Sequence, residues 1–529
     1  MKSFTEGYKT AAGEVEKLLA RSKVADTMQS ETMLIFEALC MNIFEQRKKN
    51  DPPVRVQGSN KGGYVSIRIS FNGKRYDPEG GSAAGFSLES KILKAYAEKI
   101  DYSYRAGYNK IVITVRNSYF RSLLPCAVGV LLAIAAYLPL QALTGEAERQ
   151  YLLTELISPL EELFGNAMLM VGAPVTFLSL LKNLTDTYII SDLHSSVRIM
   201  QKRVFVSSGI SVLLAIATSR MVALLASGRE IPLFDDMTMQ MGFSLRTFIT
   251  ELIPSDIFTP LQTLSPFPII IVAAMVTYAF CSVGKYFDNL KGAVDAGFAL
   301  FSRMLSIVMI PLPFFIFAAI ADVLLRYGFE AFKYLAELIL LVIMSAAVLL
   351  AFYVIRLRRC GIKVMPFLKK MGPLLMENFK IGSAIDAVPY NIRYCARVYN
   401  MDRGELDKNL PVLAQINLDG NCYFITLVAL ILVFMSNPNA TVIDVLGIAT
   451  LVFFLSLGAP NQPGSFLIAM LIILHYVEHI ELIPIAIFCE VFFGGILNIM
   501  NVQGDIITTA EMGSVRDRFL LKENKRKTG

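Results

Sequence analysis

The sequence predicts an α-helical multispanning membrane protein preceded by a small α/β cytoplasmic domain, and three observations carry that prediction. Hydrophobic residues make up 54% of the 529 positions and charged residues only 18%, a balance suited to a chain whose solvent is largely lipid. Residues 122 to 142, from Leu123-Leu124-Pro125 through Leu140, hold no charge, which is length enough to cross a hydrocarbon core of roughly 30 Å. Composition also changes near residue 118, with mixed polar sequence before it and long apolar stretches with short polar breaks after it.

The first part, 1 to 118, reads as a soluble domain. A helix is expected over Glu31 to Arg47, strands over 54 to 58 and 64 to 71, a turn at Asn72-Gly73, a helix over 87 to 101 and a strand over 110 to 116. Its first hundred residues are polar and mixed, so no secretory signal is expected there.

The second part, 119 to 512, reads as eight spans near 122 to 143, 152 to 181, 204 to 227, 262 to 283, 298 to 325, 331 to 355, 410 to 436 and 480 to 502, with 513 to 529 as a basic tail. Basic residues flank alternate ends: Arg116 and Arg121, then Arg198, Lys202 and Arg203, then Lys285 and Lys291, then Arg356, Arg358, Arg359 and Lys363. The positive-inside rule puts both termini and these loops in the cytoplasm. The net charge of +6 thus reflects orientation, and nucleic acid is not an expected partner. Seven cysteines without a CxxC pair and histidines only at 194, 475 and 479 argue against a metal cluster or disulfide framework. With no nucleophile-base pair visible, an enzyme is not expected.

Two apolar segments are interrupted. Pro366, Gly372, Pro373, Gly382 and Pro389 break 364 to 390, and Gly458-Ala459-Pro460-Asn461-Gln462-Pro463-Gly464 breaks 444 to 474. Unwound backbone at membrane depth is tolerated where it is buried in protein or lines a wet cavity, so these read either as broken helices around a transport site or as Pro-kinked spans. Each adjoins a carboxylate cluster, Asn417-Leu418-Asp419-Gly420-Asn421 or Asn501-Val502-Gln503-Gly504-Asp505. An acid at membrane depth survives mainly where it meets a cation or a polar partner. The clusters read as a cation site, or else as caps at the ends of helices.

In these residues the chain resembles the dicarboxylate/amino acid:cation symporter family, the glutamate-transporter homologues, over 120 to 512. Asn417-Leu418-Asp419-Gly420 is similar to that family's Asn-Met-Asp-Gly, and Asn501 through Asp505 to its Asn-Val-x-Gly-Asp. The 458 to 464 run stands at its second hairpin tip, and Ile253-Pro254-Ser255-Asp256-Ile257-Phe258 at its Ile-Pro-x-Asn-x-Phe element. The resemblance implies eight spans plus two re-entrant hairpins, an elevator-type displacement of a transport domain, and a homotrimer. It also implies sodium ions at two places. Asp505 with the Asn501 and Asn417 carbonyls would form one. Asp419 with the Asn417 side chain, and more loosely Ser207 and Ser208, would form the other.

For the solute, Glu490, Gly494, Leu497, Asn498, Asn501 and Asp505 recur at spacings of three and four and share a helix face. By the resemblance, Gly494 and Leu497 stand where acidic-substrate members place an Asp and an Arg. Without the guanidinium fork, bidentate carboxylate recognition is lost. The expected solute is therefore a small acid or amino acid with at most one recognised carboxylate, met by Ser383, Asn461, Gln462 and Asn498. Asp386 offers either a counter-charge to a cationic group or a cap for the second arm of its hairpin. Glu490 offers either a proton site or a pairing partner for a neighbouring helix.

Residues 30 to 116 resemble a GHKL-type ATPase module of the kind found in anti-sigma-factor kinases. Its nucleotide chemistry looks degraded: Glu37 and Asn42 are five apart instead of four, Phe71 replaces an acid, and the lid is reduced to Gly80 through Gly85. A regulatory module that meets a cytoplasmic protein partner is expected. The whole then reads as a sodium-coupled symporter of the bacterial inner membrane, with a transporter-like solute sensor as the alternative.

Overall fold

The computed structural model describes residues 2–22, 24–46, 53–61, 64–76, 93, 100–116, 118–193, 195–226, 249–250, 252–437, 440–459, 463–477 and 482–527. It divides into two compact units, Met1–Ser122 and Leu123–Gly529.

In the first unit, helices α1 (Lys2–Arg21) and α2 (Asp26–Gln46) accompany a four-stranded antiparallel sheet of β1 (Arg55–Lys61), β2 (Tyr64–Asn72), β3 (Ile100–Arg105) and β4 (Tyr108–Arg116), in the order β1-β2-β4-β3. Val65, Ile67 and Ile69 on β2 alternate with exposed or half-buried residues, and Ile111, Ile113 and Val115 do the same on β4. That period of two buries one face of the sheet. Asn109 is fully buried and ties the β2–β3 region together, accepting from the Tyr76 backbone N–H at 3.0 Å and the Tyr102 hydroxyl at 2.7 Å. The helix expected over 87 to 101 does not reach its stated end, because residues 100 to 105 form β3, edge partner of β4. Most of its other residues lie outside the described set, as does the Gly80 to Gly85 run.

In the second unit the elements among the described residues are all helices. It comprises α3 (Tyr119–Leu143), α4 (Glu146–Leu152), which runs through one π turn into α5 (Ser158–Leu193), α6 (Ser195–Ala226), the short α7 (Thr259–Gln262), α8 (Pro266–Ser282), α9 (Phe287–Val308) and α10 (Leu312–Arg359). After these come α11 (Val364–Ile381), α12 (Val388–Val398), α13 (Arg403–Ile416), α14 (Asp419–Ser436), α15 (Val442–Leu457), α16 (Ser465–Tyr476) and α17 (Ile483–Lys527). Among the described residues, seven helical stretches are long and apolar enough to cross a membrane, and α8 with α9, bent by 104°, supplies an eighth.

Two expected spans need correction. The span expected over 298 to 325 straddles a break at 309 to 311. Pro311 and Pro313 lack the N–H groups a continuing helix needs, so α9 stops at Val308 and the next crossing runs over Leu312–Glu330. That crossing parts from Phe332–Arg359 at Gly328, whose backbone, at φ 79° and ψ 179°, lies where only glycine rests without strain. The span expected to end at 502 instead continues to Gly513.

Burial ranks the helices. The most apolar stretch within Arg403–Met435 is 94% buried, whereas that of α3 is 22% buried. A helix apolar on all sides is either enclosed by protein or faces lipid, and these two show both fates. Tyr423 and Phe424 of α14, Phe466 of α16 and Phe493 of α17 are fully buried, and the Phe493 ring lies 6.1 Å from that of Phe424 and 5.4 Å from that of Phe466. α3 meets the start of α10 with almost nothing between the backbones: a Cβ on Gly129 would stand 2.5 Å from the Pro313 carbonyl oxygen.

Candidate functional site

The site forms where a helix is interrupted. α13 ends at Ile416, Asn417 is extended at φ −92° and ψ 93°, Leu418 is again non-helical, and α14 starts at Asp419. The break frees N–H groups at the start of α14, and a neighbouring helix satisfies them: Asn501 Oδ1 of α17 accepts from Gly420 N at 2.8 Å and Asn421 N at 3.3 Å. Asn501 Nδ2 donates to Asn421 Oδ1 at 3.0 Å. The Asn501 side chain is thus a helix cap supplied from another helix.

Asn417, Asp419, Asn501 and Asp505 are all at most 3% exposed. Asn417 Nδ2 donates to Asp505 Oδ1 at 2.8 Å, while Asn417 Oδ1 is buried without a hydrogen-bond partner. Asp419 accepts from Ser207 Oγ at 2.6 Å and Ser208 Oγ at 2.9 Å, both from α6, and from the Tyr353 hydroxyl at 3.4 Å. The Asn417 side chain therefore sides with Asp505, whereas the resemblance had grouped it with Asp419. Gly504 makes the approach possible, since a Cβ there would stand 2.7 Å from Asn417 Nδ2, 2.9 Å from the Tyr353 hydroxyl oxygen and 3.2 Å from Asp419 Oδ2. Asp505 does not end a helix, as it lies well inside α17.

Four participants escape the sequence reading. Arg356, taken there only as an orientation-setting loop residue, sits in the last turn of α10 and turns its guanidinium into the site, together with Tyr353, Thr508 and Glu511. The signal was the α17 stripe: continued past Asp505, it reaches Thr508 within a turn.

The interrupted segments form two helix pairs. α11 ends at Gly382 in the left-handed region, φ 76°, and a tip over 383 to 387 leads into α12. α15 and α16 flank the second tip. At 16 and 12 residues, α15 and α16 extend roughly 24 and 18 Å, short of a bilayer core. Ser383 is buried and its Oγ accepts from Asp386 N at 3.2 Å. The cap expected of Asp386 is not formed, because Ala387 is the N-cap of α12 and no side chain bonds there. Asn461 and Gln462 lie outside the described residues. Leu497 is 3% exposed, and Gly494 stands on the same helix, half-buried. Asn498 Nδ2 donates to the Asn378 carbonyl at 2.9 Å, joining α17 to α11, and Asn378 exchanges amide hydrogen bonds with Asn391 of α12. Glu490 pairs with the second tip: its two oxygens accept from Gly464 N at 2.9 Å and Leu467 N at 3.0 Å, capping α16.

Carboxylates enclosed around a broken helix, in a unit with helices long enough to cross a membrane, are the arrangement found at the sites of broken-helix transporters. The chain belongs to the sodium:dicarboxylate symporter family, whose pattern matches residues 119–514. Among curated relatives it is 22% identical over 265 residues to "C4-dicarboxylate transport protein 1" of Pseudomonas paraeruginosa, covering 50% of this chain and 60% of that one. It is 24% identical over 268 residues to "C4-dicarboxylate transport protein 2" of Ralstonia nicotianae, covering 50% and 59%. With "C4-dicarboxylate transport protein" of Delftia acidovorans it shares 22% over 413 residues, covering 74% and 88%. The chain thus spans about 60% of the length of the first of these relatives.

Proposed function

We propose that the chain is a sodium-coupled symporter for a small organic acid or amino acid. The observation that carries this is the enclosed pair Asn417 and Asp505, where an orphaned amide oxygen stands beside a carboxylate. Hard monovalent cations take oxygen ligands of this kind, and ions in broken-helix transporters lie at such interruptions. A tenfold sodium gradient supplies about 1.4 kcal/mol per ion, and one charge crossing 100 mV adds about 2.3 kcal/mol. Even one net charge moved inward sustains accumulation. Leu497, apolar and buried on the α17 face, fits a solute whose second end is not a carboxylate.

In this reading α11–α12 and α15–α16 are re-entrant hairpins that move with the solute, in a homotrimer of the bacterial inner membrane with both termini cytoplasmic. The first unit acts as a regulatory module without ATPase activity. In α2, Glu37 is exposed whereas Asn42 is buried and accepts from the Tyr76 hydroxyl at 2.6 Å, so the two do not share the face that joint nucleotide chemistry needs.

Reconstituted vesicles loaded against a panel of small acids and amino acids test the proposal. Uptake that follows an imposed sodium gradient, and is lost in Asp505→Asn, supports it. Solute binding without flux moves the assignment to a membrane sensor, the reading favoured by the separate N-terminal unit. Glutamate as the preferred solute overturns the specificity.

A further inference from the structure

Arg356 makes more polar contacts in the site than a stabilising ion pair requires. Its Nε and Nη2 grip Glu511 at 3.0 and 2.9 Å, and Nη2 also donates to Thr508 Oγ1 at 2.8 Å. Its Nη1 donates to Ser207 Oγ at 2.9 Å and lies 3.6 Å from Asp419 Oδ2. The side chain is 11% exposed, and its charge stands 5.6 Å from the centre of the Phe352 ring. Guanidinium keeps its charge in proteins and holds a rigid fork of donors. This one is fixed from two sides, by α6 through Ser207 and by α17 through Thr508 and Glu511, and its own helix α10 holds it from a third.

Charge bookkeeping then separates the two halves of the site. Two of the three carboxylates, Asp419 and Glu511, lie against guanidinium groups: Arg356 stands 3.6 Å from Asp419 and 2.9 Å from Glu511, and Arg203 stands 3.6 Å from Glu511. Among the described residues the third, Asp505, meets the Asn417 amide instead. The contacts around Asp419 are all donors: three hydroxyls and the guanidinium. A metal cation there would need those hydroxyl oxygens as ligands and would meet a fixed like charge. Among the described residues no guanidinium reaches Asp505, and the Asn417 oxygen is orphaned.

We infer that Arg356 is a tethered cation that fills the Asp419 half of the site, so that a single monovalent ion binds, at the Asp505–Asn417 half. The inference rests on the cation coupling proposed above. It makes Arg356 the residue that sets coupling stoichiometry, and it predicts a lower thermodynamic ceiling for solute accumulation than two exchangeable ions would give.

Equilibrium binding of radiolabelled sodium to the purified full-length chain tests it. The wild-type chain is expected to bind about one ion, with oxygen ligands of the kind a hard cation takes. Removing both members of the buried pair in Arg356→Gln/Glu511→Gln leaves net charge unchanged and avoids stranding Glu511. That variant is expected to bind about twice as many ions, with Asp419 now needing an external counter-charge. Two ions on the wild-type chain overturn the inference while leaving cation coupling intact, and so does an unchanged count in the folded variant. If the variant does not fold, the wild-type count decides alone. No saturable sodium binding in wild type overturns the coupling itself and the inference with it.

Discussion

The Tyr353 hydroxyl shares its one proton between two acceptors, Asp419 Oδ2 at 3.4 Å and the Met500 carbonyl at 3.2 Å. One fully buried ring from α10 thus ties the start of α14 to α17. Tyr353→Phe keeps the ring and deletes the hydroxyl. A loss of about 1 kcal/mol is expected, read as a several-fold higher sodium concentration for half-maximal uptake with little change in protein yield.

Gly504→Ala reverses a familiar sign. Within a helix that change ordinarily gains about 1 kcal/mol, but here the new methyl would stand 2.7 Å from Asn417 Nδ2 and 2.9 Å from the Tyr353 oxygen. Overpacking of this kind costs about 1–3 kcal/mol, and it would push Asn417 off Asp505. Thermal melting of the purified chain should fall, and sodium-driven uptake should drop at least tenfold; a rise in melting temperature with intact uptake contradicts the packing described.

Glu490 is spent on the second tip. Glu490→Ala leaves the Gly464 and Leu467 N–H groups without their acceptor, and a buried donor left unpaired costs about 1–3 kcal/mol. Hydrogen exchange at the start of α16 is expected to quicken, with Glu490→Gln retaining part of the protection through its single amide oxygen. Equal protection in all three proteins would remove the capping role.

Asp256 precedes α7 and lies outside the spans. The Thr259 hydroxyl, then the Thr259 and Phe258 N–H groups, donate to its carboxylate and hold its pKa below the usual range. A depressed carboxyl contributes order above its unfolded value and loses it as pH falls through the folded one. Protease resistance around 256 to 262 should therefore hold from neutral pH down to the ordinary carboxylate value near 3.8 and fail below it. Asp256→Ala should lack that resistance even at neutral pH.

Much of the second unit was readable because apolar length and Pro/Gly punctuation act locally. The uncharged run of α3 and the breaks at 382 and 458 to 464 leave marks in consecutive residues. Convergence is different: Asn417 and Asp505 meet across 88 residues, and Ser207 and Asp419 across 212. Their grouping came from resemblance to a family. Arg356 was obscured because a basic residue after a span has a ready explanation in orientation, and nothing adjacent in sequence says that its side chain folds back inward. The start of the crossing at Leu312 was missed because hydropathy runs unbroken across Met309-Ile310-Pro311, where only the proline marks the stop. Strand β3 was missed because Ile100-Asp101-Tyr102-Ser103-Tyr104 finds its reason in pairing with β4.

The contact of Gly129 with the Pro313 carbonyl sets a limit on motion. Sliding α3 along α10 by one turn would bring Cys126 or Ala133, which share the Gly129 face, toward that oxygen, where even a Cβ comes too close. This seam therefore behaves as a welded joint. A shear between α3 and the beginning of α10 would have to part the two backbones before either could slide.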